Sequence, residues 1–304
     1  MQVHLFHPAF SAGVGKSAFR LHRGYLPQGH RRGLSKVKRG GIGIFDSGVG
    51  GLTVVREVNR LLPEESVVYF GDTARVPYGS KSPDTVIRFS LENAEFLLGK
   101  GIKLLVVACN TASSVSIPAL KEFADVPVVG VIAPGVRAAA ASTENGAVGV
   151  IGTLGTISSG AYQKALKNCD SVKKVVAQPS PLLVPLVEEG WLDHRITGMV
   201  LEEYTNPLVQ EGIDTLVLGC THYPLLKKLL GNVLGDSIRL VDSAESTAVR
   251  VGEILREKGL EADSRSIEDR FYVSDIPLKF QEIAQRFLGR AVPLVTHVEV
   301  GEPH

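Results

Sequence analysis

The chain has 304 residues, 44% of them apolar and 21% charged, with 32 glycines, 16 prolines and three cysteines. This composition excludes a disordered or fibrous protein, and three cysteines are too few for a disulfide scaffold, which leaves a globular protein of one large or two ordinary domains. No membrane span is expected, because the longest uncharged stretch, 145–163, is broken by five glycines and by Thr153, Thr156, Ser158 and Ser159.

The net charge of +1 conceals an asymmetry: residues 1–40 hold eight of the 33 cations and none of the 32 acids, so the rest carries −7. Such a leader suits an organellar transit peptide or a nucleic-acid arm. The simpler account, expected here, is a disordered basic extension over residues 1–40, or a start codon placed too far upstream with Val37 as an alternative. Gly15-Lys16-Ser17 imitates the end of a phosphate loop, but Phe10 stands where that loop needs glycine.

From Gly41 onward short β-branched runs alternate with helical patterns. The predicted order is strand Ile42–Phe45, helix Leu52–Leu62, strand Val67–Phe70, helix Ser82–Lys100, then strands Leu104–Ala108, Val126–Ile132, Ala147–Ile151 and Lys174–Ala177. Helix His194–Glu211, strands Thr215–Leu218 and Ile238–Val241, and helix Ser246–Lys258 follow. This is the pattern of the α/β class with doubly wound parallel sheets.

The pattern also repeats. Gly101-Ile102 and Gly212-Ile213 each open a run that places a cysteine eight residues after the glycine, Cys109 and Cys220, and Asp46-Ser47 in one half corresponds loosely to Gly152-Thr153 in the other. Two pseudo-symmetric α/β units facing each other are expected: a first domain of residues 41–133 plus 242–304, a second of 134–241, and the active site in the cleft between them.

Both cysteines fall at the carboxyl ends of predicted strands, where open α/β sheets bind ligands. A helix opening there would favour a thiolate and a substrate carboxylate. A lone cysteine is more often a small buried hydrophobe, but that account fits poorly with two at equivalent points of a repeat. An acidic body without a signal peptide points to the cytoplasm, where thiols stay reduced, and no spaced Cys/His cluster suggests a metal site. Cys169 follows no strand and is expected to have no role. Two thiols on opposite faces of a carbon acid can remove a proton from one side and return one from the other, inverting a stereocentre.

Four blocks then carry a resemblance: Ile44-Phe45-Asp46-Ser47-Gly48-Val49-Gly50-Gly51, Gly71-Asp72-Thr73-Ala74-Arg75-Val76-Pro77-Tyr78-Gly79, Ala108-Cys109-Asn110-Thr111-Ala112 and Gly219-Cys220-Thr221-His222-Tyr223-Pro224. Their residues and order resemble the signature blocks of the bacterial glutamate racemase family, from about Gly41 to about Val300. The resemblance implies a cofactor-independent isomerase that interconverts L- and D-glutamate, the D form feeding peptidoglycan synthesis. Cys109 would be the base for D-glutamate and Cys220 for L-glutamate, with Asp46 and His222 as their respective helpers. Asp46, Ser47, Tyr78, Gly79, Asn110, Thr111, Thr221 and His222 resemble substrate-binding positions, and Glu188 resembles a further active-site acid. A small-molecule substrate and a homodimer are implied, with no nucleic-acid or membrane partner.

Plainer roles exist for several of these residues. Asp46 is equally suited to cap the helix that follows it. His222 out of context would be a structural histidine, Glu188 a solvated helix charge, and Tyr78 a packed aromatic whose backbone matters. The chain departs from the family at Ser180, where many members carry a third cysteine, and in its leader. Aspartate racemase is the near rival, disfavoured because an acid usually follows its Cys-Thr where His222 stands here. A non-catalytic binding protein using Gly48–Gly51 as a phosphate loop lacks the third glycine of the dinucleotide pattern, and a pyridoxal enzyme would need a lysine that neither cysteine block holds.

Overall fold

The computed structural model describes residues 40–301 apart from 266 and 293, so the expectation for the basic leader falls outside the described residues. The first half runs β1 (Ile42–Asp46), α1 (Leu52–Leu61), β2 (Val67–Gly71), α2 (Pro83–Gly99), β3 (Leu104–Val107), α3 (Asn110–Val115), α4 (Ile117–Phe123), β4 (Val128–Gly130) and α5 (Ile132–Ser142). The second runs β5 (Ala147–Gly152), α6 (Leu154–Ser158), α7 (Ala161–Lys167), β6 (Lys174–Pro179), α8 (Leu183–Glu188), α9 (Arg195–Gln210), β7 (Thr215–Gly219), α10 (Lys227–Leu234) and β8 (Arg239–Asp242). α11 (Ser243–Lys258), β9 (Arg270–Val273), α12 (Pro277–Leu288) and β10 (Val295–His297) complete it.

Two sheets form, in the orders β10-β9-β2-β1-β3-β4 and β6-β5-β7-β8, and every strand pairing is parallel. The sequence repeat is therefore a topological one. Both sheets share the order second, first, third, fourth strand, and each cysteine follows the third strand beside the switch point where helices change faces. Gly101 and Gly212, which open the repeated runs, both have positive φ, at 77° and 75°. Each lets the chain leave a helix and enter the next strand, a conformation costly for any residue with a Cβ.

β1, β2, β3, β5 and β7 are buried along their whole lengths, as strands covered on both faces must be. One apolar cluster joins Ile44 and Leu104 of the first sheet to Ile151 and Leu218 of the second. α11 packs against both α1 and α5, with Asp242 capping its first turn through the amides of Ala244 and Glu245. Among the described residues no helix is long and apolar enough to cross a membrane.

One predicted boundary needs correction, and further elements go beyond the prediction. The predicted strand Val126–Ile132 shortens to Val128–Gly130, because the apolar residues from Ile132 on are the buried face of α5, and Pro134 fits within its first turn. The polar segment after β5 is helical, since the Thr153 hydroxyl accepts the Thr156 amide and caps α6. β9 and β10, which carry Arg270 and His297 in short runs, extend the first sheet beyond β2.

At the opposite end of β3 from Cys109, Lys103 is wholly buried. Its Nζ lies 2.6 Å from Glu65 Oε2 and donates to the Leu260 carbonyl at 2.7 Å. Glu65 Oε1 accepts the Ala262 amide at 2.9 Å, so the pair fastens the chain after α11 to the first sheet. Lys103→Met should strand the Glu65 carboxylate and cost about 3–5 kcal/mol, seen as a lower urea midpoint.

Candidate active site

The carboxyl ends of β1, β3, β5 and β7 carry most of the residues singled out from the sequence. Asp46 ends β1 and is fully buried. Its Oδ2 accepts the Gly48 amide at 2.9 Å, its Oδ1 accepts the Thr221 hydroxyl at 3.4 Å, and the Gly51 amide is a further donor. α1 begins at Leu52 without a side-chain cap, so Asp46 holds the preceding turn instead of capping the helix. Burial raises its carboxyl above the ordinary range, offset in part by the nearby His222 charge and these donors.

That turn must lie flat against the second cysteine block. A Cβ on Gly50 would overlap Thr221 Oγ1 and stand 2.6 Å from His222 Nδ1, and one on Gly51 would stand 2.6 Å from Asp46 Cβ. Thr53 in α1 completes the junction, its hydroxyl reaching the Thr221 carbonyl at 3.3 Å. Gly50→Ala should leave the fold intact, displace His222 and lower kcat at least tenfold; unchanged turnover in a steady-state assay would show that the close approach is dispensable.

Cys109 sits at the N-cap of α3, 5% exposed. Its sulfur receives the Ala112 amide and lies 3.7 Å from Ser47 Oγ. Burial, with the Asp46 charge added, pushes its thiol up to about 12, so it is a protonated S–H at neutral pH. Cys220 is 6% exposed at the end of β7, its sulfur 3.8 Å from His222 Nδ1, while His222 Nε2 lies 2.9 Å from Glu188 Oε1. Burial opposes a charge on His222, but the Cys220 and Glu188 partners outweigh it and carry the imidazole up to about 10. The electrostatics are thus unequal: a neutral thiol beside a carboxylate on one side, a sulfur beside an imidazolium on the other.

The hydroxyl and amide groups divide into two sets. Thr111 Oγ1 meets Thr153 Oγ1 at 2.8 Å and Thr156 Oγ1 at 3.2 Å, joining the first cysteine block to the cap of α6. Asn110 Oδ1 accepts the Tyr162 hydroxyl at 2.8 Å, while its buried Nδ2 has no partner among the described residues. Tyr78 is a buried aromatic whose hydroxyl donates to the Asp72 carboxylate, so what its segment offers the site is backbone. Gly79 lies against Thr153 and Gly155: a Cβ on Gly79 would stand 2.7 Å from Thr153 Cβ, and one on Gly155 would stand 2.9 Å from the Gly79 carbonyl oxygen. A cavity of about 250 Å³ opens beside this contact, walled in part by Lys81, Thr111 and Leu154; neither sulfur lines it.

Some participants were not foreseen. Thr153 and Thr156 extend the hydroxyl cluster, and Thr153 is the repeat's counterpart of Ser47, a signal already present in the sequence. Phe287 in α12 stands edge-on to His222, ring centroids 5.1 Å apart, and Arg286 donates to the Glu188 carbonyl at 2.8 Å. No motif marks these two. Ser180, the family departure, is buried, and its carbonyl accepts the Tyr223 hydroxyl at 2.7 Å. Cys169 lies beyond α7, away from both cysteine blocks in the fold, with its sulfur against the Ala165 carbonyl.

Comparison with known proteins fits this geometry. Residues 42–251 match the Asp/Glu/Hydantoin racemase family. The chain belongs to that family. It is 55% identical to the glutamate racemase of Geobacter metallireducens over 82% of this chain and 92% of the relative. Among solved structures, the glutamate racemase isoform RacE1 of Bacillus anthracis superposes with a TM-score of 0.83 at 44% identity, covering 86% of this chain and 98% of its own. The glutamate racemase of Francisella tularensis, solved in complex with D-glutamate, gives 0.81 at 36% identity with the same coverage.

Proposed function

We propose that this protein interconverts L- and D-glutamate by two-base proton transfer at the α-carbon, and so supplies D-glutamate for peptidoglycan synthesis in the cytoplasm. The observation that carries the reading is the equivalent placement of Cys109 and Cys220 after the third strand of two like sheets, each with its own charged neighbour. Cys220, paired with the His222 imidazolium, takes the α-proton of L-glutamate as the thiolate. Cys109, held as the thiol, gives its proton to the opposite face, leaving D-glutamate, a Cys109 thiolate and a Cys220 thiol. D-glutamate reacts by the same steps reversed.

Asp46 and Glu188 are the respective acids of the two sides, with Ser47, the Gly79 backbone, Asn110, Thr111 and Thr221 holding the substrate carboxylates. Neutral dipoles do most of this holding, and the single cation in the cluster, His222, is already engaged by Cys220 and Glu188. The described part of residues 41–133 with 242–301 makes one domain of this reading and residues 134–241 the other. Substrate enters when the Gly79–Gly155 contact opens, and closure excludes water from the carbanion. A homodimer is the expected assembly.

The experiment is incubation of the purified protein with L-glutamate, and separately with L-aspartate, followed by chiral analysis. D-glutamate formed without D-aspartate supports the reading. Racemisation of aspartate alone would move the assignment to the sister activity, and no racemisation by a folded sample would overturn it.

A further inference from the structure

The Asn110 amide is 3% exposed and only half satisfied: Oδ1 accepts from Tyr162, and Nδ2 has no partner among the described residues. An uncompensated buried N–H group costs stability unless something occupies it in the working protein. Which end of the amide faces Tyr162 is fixed one step further out. Tyr162 is fully buried and donates its phenol proton to Oδ1, the only acceptor on the amide. Ser243, 5% exposed at the start of α11, stands beside the same phenol oxygen, to which it can then only donate. Nδ2 is thereby turned away from the tyrosine.

The ring is well placed for this. A Cβ on Gly219, the residue before Cys220, would lie 3.3 Å from Tyr162 Cε2, and one on Gly135 in α5 would lie 3.3 Å from both the Tyr162 hydroxyl and Ser243 Cβ. Tyr162 thus stands against the end of β7 while its hydroxyl reaches the residue after Cys109, linking the two cysteine blocks.

We infer that Tyr162 and Ser243 are positioning residues whose relay, Ser243 to Tyr162 to Asn110, presents the Asn110 amide N–H to a carboxylate of the bound amino acid. The inference rests on the glutamate racemase reading, in which Asn110 touches the substrate. Reversal of the amide would present an oxygen to an anion, so the relay discriminates between an attractive and a repulsive contact made by one side chain.

A double-mutant cycle read in racemisation kinetics tests it. Asn110→Ala should raise KM for both enantiomers roughly ten- to hundredfold, the loss of a hydrogen bond to a charged group. Tyr162→Phe should raise KM about tenfold, with kcat falling less than KM rises, yet have no further effect in the Asn110→Ala background. If Tyr162→Phe fails to fold, Ser243→Ala carries the same cycle, since it frees the phenol to accept from Nδ2. Equal effects of the outer substitution in both backgrounds would mark a merely structural role and overturn the relay while leaving the racemase reading standing. A folded parent chain that does not racemise glutamate would overturn both.

Discussion

Cys109→Ser is expected to abolish net racemisation in either direction, and Cys220→Ser to do the same, each by about 10²–10⁴-fold in kcat while the protein stays folded. The substitution keeps the size of the side chain and its place after the third strand. It replaces a sulfur that can cycle between thiol and thiolate by a hydroxyl that is too weak an acid to do so. The two variants are equal in what they lose and opposite in what they keep. Cys220 still faces L-glutamate in Cys109→Ser, so the α-proton exchange that remains belongs to the L enantiomer, whereas in Cys220→Ser it belongs to the D enantiomer. Exchange spectra in D2O for each enantiomer check this, and near-normal turnover by either variant would refute the two-base assignment.

His222→Asn should have the second largest effect, roughly a hundredfold loss with L-glutamate as substrate, because it removes the imidazolium beside Cys220. The pH dependence follows from the raised imidazole. His222 is held at about 10 against an ordinary 6.5, so in the folded protein the imidazolium persists until pH rises through about 10, and the stability it contributes is complete below about pH 6.5 and lost by about pH 10. The alkaline limb of kcat/KM for L-glutamate should therefore fall near pH 10. Glu188→Gln removes one of the two supports of the cation and should move that limb toward neutral pH by about one pH unit. A limb unmoved by Glu188→Gln would show that Cys220 alone sustains the charge.

Much of this site was legible in the sequence because its chemistry is local. The cysteines stand at the ends of apolar runs with a common opening glycine, and the sheets repeat in three dimensions what the two runs repeat in one. Asp46 and His222 lie within short blocks of small residues, and the glycines of the first block turn out to be those that must lie flat against the second. Glu188, equally plausible as a solvated charge, is brought beside His222 only by the fold, through α8. The electrostatic inequality of the two sides was not legible either, since it depends on burial and on partners distant in the chain, Asp46 for Cys109 and Glu188 for His222. Neither was the part played by α12, whose Phe287 and Arg286 reach the site from a segment without a motif. The charge on His222, within electrostatic reach of Asp46, likewise emerges only from the fold.

The central claim is that the proton removed and the proton delivered travel on different sulfurs. Its most direct test is racemisation of L-glutamate in D2O, sampled in the first few per cent of reaction, with the isotope at the α-carbon read separately in substrate and product. The account predicts D-glutamate that carries deuterium from the first molecules formed, beside L-glutamate that still carries protium. Product that retains the substrate's own α-proton would mean that one group both takes and returns it, and would contradict the account.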